Sequence, residues 1–167
     1  MSRVHDDLLR SLLAVSAHEF FAAYGAASSD VDTDPAEASG LCGVLGFTGD
    51  TLAGSVVITA TDPALAASNP LGDGPTRDWI AELTNQIGGR FKNTLLRRGV
   101  EIGISAPVVL RAVRLVPVPS RTLVPVSMEV GGGLLHLWLD LEYAAAFTIG
   151  EAVTPEAAGT EGEAFMF

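Results

Sequence analysis

The chain has 167 residues, close to the usual size of one domain, and 48% of them are hydrophobic. A chain of this length removes roughly 70% of its unfolded surface from water, enough for a full core. Ten Lys and Arg against twenty Asp and Glu leave a net charge of −10. Such a charge repels phosphodiester backbones and anionic lipid, which argues against nucleic-acid and membrane-surface partners. The single cysteine, Cys42, excludes an intramolecular disulfide framework and suits a reducing compartment. No uncharged apolar run approaches the ~20 residues of a membrane span. Met1 to Asp7 place acid where a secretion signal would be basic and then apolar. One cytoplasmic domain is the expectation.

Between Val4 and Tyr24, Leu8, Leu9, Leu12, Leu13, Val15, Ala17, Phe20 and Phe21 recur at helical spacing, and Gly25 stops that helix. Residues 26–39 read as a loop with a short edge segment near Val31. Leu41 to Phe47 and Leu52 to Thr59 are β-compatible runs around a Gly49-Asp50 turn, hence a hairpin. Asp62-Pro63 reads as an acidic cap with proline at the first position of a short helix. Asn69-Pro70 and Gly72-Asp73-Gly74 break that helix, and Pro75 opens a longer one reaching about Arg98, with Gly99 as its stop. β-type runs follow at 100–105, 108–116, 121–130 and 134–143, the last two joined through Gly131 to Gly133. After a 1–147 domain, residues 148–167 read as an acidic, flexible tail. Segregated helices and strands predict an α+β fold: two long helices packed on an antiparallel-rich sheet.

The long helix carries the chemistry. At about 100° per residue, Trp79, Ile80, Leu83, Ile87, Phe91 and Leu95 form one apolar stripe. Asp78, Glu82, Asn85, Gly89 and Lys92 fall on the opposite side. Glu82 and Asn85, three apart, are neighbours on that outer face. A glycine inside a helix costs up to ~1 kcal/mol against alanine, yet Gly88 and Gly89 stand side by side. Small residues there either leave a flat patch where another protein's backbone can come close or permit tight packing of the helix on the sheet.

The stretch Asp78-Trp-Ile-Ala-Glu82-Leu-Thr-Asn85-Gln-Ile-Gly-Gly89 resembles the Asp/Ser-x3-Glu-x2-Asn-x3-Gly signature of the CheC/CheX/FliY chemotaxis phosphatases. Cys42 to Asp50 with Gly54 to Ile58 is similar to the hairpin upstream of that family's active helix. Ile102 to Leu110 is similar to the strand pair downstream of it. The resemblance implies the CheC-like fold and hydrolysis of the aspartyl phosphate of a CheY-like response regulator. CheC-type members carry the motif twice, whereas Glu19-Phe20-Phe21-Ala22 puts alanine where the second asparagine would fall. A single site of the CheX kind is expected.

The resemblance makes Glu82 and Asn85 the catalytic pair and Asp78, Gly88 and Gly89 the partner-binding residues. A receiver domain brings its own Mg²⁺ and lysine, so no cofactor is expected on this chain. What remains is to hold a water in line with phosphorus. The Asn85 amide suits that task, since it offers one acceptor and two donors. Glu82 suits the partner's cation. Asp78, in the first helical turn, also complements the helix dipole whatever its function. The resemblance allows a homodimer through sheet edges, and it leaves a non-catalytic receiver-binding or scaffold module as the alternative.

Other candidates are weaker. His18-Glu19 opens like a zinc-protease motif, but residue 22 is alanine, and His5, His18 and His136 lack ligand spacing. Cys42, in an apolar run, reads as a small buried hydrophobe. Ser55, Ser105 and Ser127 have no nucleophile-elbow context. Arg90, Lys92, Arg97 and Arg98 read as basic charge suited to the end of a helix.

Overall fold

Apolar residues at helical spacing bury one side of helix α1, Ser2–Ala23, where Leu9, Leu13, Ala17, Phe20 and Phe21 are fully enclosed. The computed structural model describes residues 2–33, 38–72, 76–115, 118 and 124–153. After α1 come strands β1 (Ser28–Asp30), β2 (Ala38–Thr48) and β3 (Leu52–Ala60). Helices α2 (Asp62–Ser68) and α3 (Thr76–Leu96) follow. Strands β4 (Gly103–Ile104), β5 (Val108–Leu115), β6 (Val126–Val130) and β7 (Gly133–Tyr143) complete the described chain. The fold is α+β.

Every described strand pair is antiparallel, in the order β1-β6-β7-β3-β2-β4, with β5 also pairing with β2. The expected β2–β3 hairpin runs in register from Leu41↔Ala60 to Thr48↔Ala53. β1 lies at the sheet edge where a short segment was expected near Val31. The two-residue turn between β6 and β7 sets Gly131 and Gly132 at φ of +56° and +78°, the left-handed pair that such a hairpin requires. Gly133 belongs to the strand.

Alternation along the strands divides the sheet. Leu41, Leu45 and Phe47 of β2 share one face with Val56 and Ile58 of β3 and Leu135, Leu137 and Leu139 of β7. They join Phe20, Ile80, Leu83, Ile87 and Phe91 in one core beneath α1 and α3. Cys42, Thr59, His136 and Ser127 form a cross-strand row on the opposite face, all buried. Ser127 Oγ and His136 Nδ1 are hydrogen-bonded at 2.8 Å, and burial pushes the His136 imidazole below its usual range. Burial likewise pushes the Cys42 thiol up to about 11.

The short helix corrects one reading. Its N-cap is Thr61, not Asp62, and Pro63 falls in the first turn behind it. The Thr61 hydroxyl makes no capping bond; it accepts from the Leu134 amide of β7 at 2.9 Å, tying α2 to the sheet. The stretch expected as a flexible tail begins in contact with the domain. The amides of Gly150 and Val153 donate to the Arg98 and Arg97 carbonyls, each at 3.0 Å. Residues 154–167 lie outside the described residues.

α3 sits close to β2 because two contacts admit no extra carbon. A Cβ at Gly43 would fall 1.9 Å from Thr84 Oγ1, and one at Gly88 2.9 Å from Leu45 Cδ1. Gly43→Ala should therefore destabilise the fold by about 1–3 kcal/mol, the usual penalty for overpacking, read from urea unfolding midpoints. A midpoint equal to wild type would show that α3 shifts freely. For Cys42, alkylation of the native protein at pH 8.5 should run about 100-fold slower than in the unfolded chain, because so little thiolate forms at that pKa. Equal rates would place the thiol in solvent.

Candidate functional site on helix α3

The periodicity that buries Trp79, Ile80, Leu83, Ile87, Phe91 and Leu95 turns Asp78, Glu82 and Asn85 into solvent. Thr84, between the two motif residues, faces inward and donates from Oγ1 to the Ile80 carbonyl at 2.7 Å. Trp79 anchors the first turn, donating from Nε1 to Ser68 Oγ of α2 at 3.0 Å. At the far end Gly99 adopts φ of +78°, and the Val100 amide donates to the Leu95 carbonyl at 3.0 Å, closing the helix. Both ends of the helix are fixed, so its outer face has one orientation.

On that face the two motif side chains differ. Gln86 Nε2 donates to Glu82 Oε1 at 2.7 Å, which holds one carboxylate oxygen and leaves the other without a hydrogen bond among the described residues. Asn85 makes no hydrogen bond among the described residues, so its amide has both donors and its acceptor available. Asp78 accepts from its neighbour Arg77 at 3.3 Å, with both side chains more than 70% exposed, a pairing of little energetic weight.

The adjacent glycines separate. Gly88 was expected at the partner surface; it is buried against Leu45 and faces the sheet. Periodicity explains the difference, because Gly88 lies one turn beyond the inward-facing Thr84 and two turns before the buried Leu95. Gly89 faces open space.

Two cavities flank the motif. One of about 340 Å³ is lined by Asn85, Gln86, Gly89, Arg90, Asn93 and Ile104. Arg90 Nε is buried there without a hydrogen-bond partner. The other, of about 420 Å³, borders Asp78 and Glu82 and is walled by Tyr24, Trp79, Pro70 and Leu71. Sequence reasoning missed Tyr24 and Leu71. In the sequence Tyr24 is the last apolar position of its helix, and Leu71 lies in a breaker segment.

Elsewhere His18 is hydrogen-bonded through Nδ1 to Ser28 and through Nε2 to Asp30, at 2.7 and 2.9 Å. Among the described residues no three His, Cys, Asp or Glu side chains gather as a metal site. No helix of the described residues is long and apolar enough to cross a membrane. Gly89→Ala should raise stability by up to about 1 kcal/mol, since the helix gains and nothing is displaced. A fall in the unfolding midpoint would show that the space is occupied.

Neither a protein-family model nor a curated protein matches this chain. Solved structures do. The chemotaxis protein CheX from Vibrio vulnificus superposes with a TM-score of 0.67 at 19% identity, over 78% of this chain and 93% of that one. CheX from Desulfovibrio desulfuricans gives 0.65 at 19% identity, over 80% of this chain and 99% of that one. A CheX–CheY–BeF3–Mg²⁺ complex from Borrelia burgdorferi gives 0.51 at 15% identity, over 80% of this chain and 94% of the matched one. The chain has the fold of the CheX and CheC-like chemotaxis proteins.

Proposed function

We propose that this chain hydrolyses the aspartyl phosphate of a CheY-like receiver domain, with Asn85 and Glu82 as its catalytic pair. The observation that carries the reading is the outward pairing of Glu82 and Asn85 on a helix whose two ends are fixed. The fold supports it, and so does a neighbour that is a CheX bound to CheY with BeF3 and Mg²⁺.

In this reading Mg²⁺ and a lysine enter with the receiver, and the phosphoryl group is already polarised when the two proteins meet. The chain then supplies position. The Asn85 carboxamide accepts from a water and directs its lone pair at phosphorus, opposite the aspartyl oxygen. The P–O bond to the aspartyl group breaks as the water oxygen bonds to phosphorus. The electron pair returns to the carboxylate, and both of the water's protons leave on the phosphate. A carboxylate in place of Asn85 would repel the phosphoryl oxygens. Glu82, braced by Gln86, takes the receiver's cation through its other oxygen.

The test uses phosphorylated receivers and the decay rate of their phosphate. Asn85→Ala should lower the maximal rate by about 100-fold or more, the scale of a misplaced reactant, while association persists. Glu82→Ala should weaken association by about 2–5 kcal/mol, the loss expected when a buried charge pair loses one partner. Full activity in Asn85→Ala would sink the mechanism. A wild-type protein that binds the phosphorylated receiver without hastening its decay would instead make this a receiver-binding scaffold.

A further inference from the structure

We infer that the cavity between α1, the α2–α3 turn and α3 is the receiver's second anchor point, taking a bulky apolar side chain presented next to a lysine or arginine. This rests on the proposed function and adds a determinant of partner choice outside the Glu82–Asn85 pair.

The walls of the cavity are apolar and come from three elements. Tyr24, at the end of α1, meets Trp79 of α3 edge to face with ring centroids 5.3 Å apart. Above them the chain turns tightly: the Gly72 amide donates to the Asn69 carbonyl at 3.1 Å, and the Leu71 amide to Asn69 Oδ1 at 3.0 Å. That turn holds Leu71 outward, 81% exposed, beside an aromatic floor. A large aliphatic side chain held in water is stabilised when a partner covers it.

The rim is acidic. Asp78 and Glu82 border the opening, and Arg77 is the one cation within salt-bridge distance of either among the described residues. Their charge selects a partner whose apolar anchor has a basic neighbour, and it repels an acidic segment. Shape and charge thus specify the same ligand. The cavity also shares Glu82 with the Glu82–Asn85 face, so a protein seated on that face covers both. An aromatic or aliphatic anchor in such a pocket, ringed by polar contacts, is the usual centre of binding energy at an interface.

The experiment measures phosphate decay across a range of phosphorylated receiver concentrations, giving kcat and KM. The affinity for the same receiver loaded with beryllofluoride and Mg²⁺ is measured in parallel. Leu71→Asp should raise KM and the beryllofluoride-complex Kd by about tenfold or more, with kcat at saturation near wild type. Leu71→Met should behave as wild type in both. Leu71 is exposed, so neither variant is expected to disturb folding, which circular dichroism checks. Unchanged KM and Kd in Leu71→Asp overturn the anchor while leaving the phosphatase reading intact. A wild-type protein that binds but does not hydrolyse removes the phosphatase reading, and the Kd comparison alone then decides the anchor. A wild-type protein that neither binds nor hydrolyses overturns both.

Discussion

The seating of α3 on β2 is the contact on which the site depends. Thr84 stands over Gly43 and Gly88 over Leu45, and neither glycine has room for a Cβ without displacing its neighbour. Successive helix residues are about 100° apart, so a rotation of α3 by one position would carry Asn85 out of its present direction. The two contacts oppose such a rotation because one is made one residue before Asn85 and the other three residues after it. The residues that determine where the motif points therefore lie on the buried side of the helix.

The outer face has graded chemistry along its length. Near the N-terminal end Asp78 and Glu82 frame an apolar hollow. One turn later Asn85, Gln86 and Asn93 line a polar one, with a buried guanidinium nitrogen of Arg90 at its side. Asp78, in the first turn, also complements the helix dipole, so an acid there does not oppose folding. Local stability and the proposed recognition of a partner draw on the same charges. For that reason a sequence pattern alone cannot say which of them a carboxylate such as Asp78 serves.

What was legible in the sequence follows from periodicity. The apolar stripe of α3 predicted which residues are buried and, by subtraction, that Glu82 and Asn85 face outward on one side. The β2–β3 hairpin was legible from its turn residues. Gly88 was placed at the partner surface because glycine carries no hydropathy signal; only its angular place in line with Thr84 and Leu95 marks it as inward. The α2 cap was misread because Thr61 and Asp62 both suit the start of a helix, and the choice depends on β7, seventy residues further on, where Leu134 claims the Thr61 hydroxyl. The Tyr24–Leu71–Trp79 cavity was invisible for the same kind of reason. Its walls come from three separate elements that only the fold brings together.

The differing restraint of the two motif side chains agrees with their proposed tasks. Glu82 is held by Gln86 one turn on, so its carboxylate would meet the proposed partner with part of its rotamer freedom already lost. A charge that must select a cation during encounter gains from such a brace, because less entropy is then lost on contact. Asn85 has no brace and needs none of comparable strength. Its short side chain has two torsions to fix, and in the proposed mechanism its amide stays open to bond a water that arrives only with the phosphoryl group. A permanent internal partner would satisfy the amide before the substrate came, and that bond would have to break in every turnover. The exposure of an unbonded asparagine beside a braced glutamate thus suits the proposed positioning of a nucleophilic water.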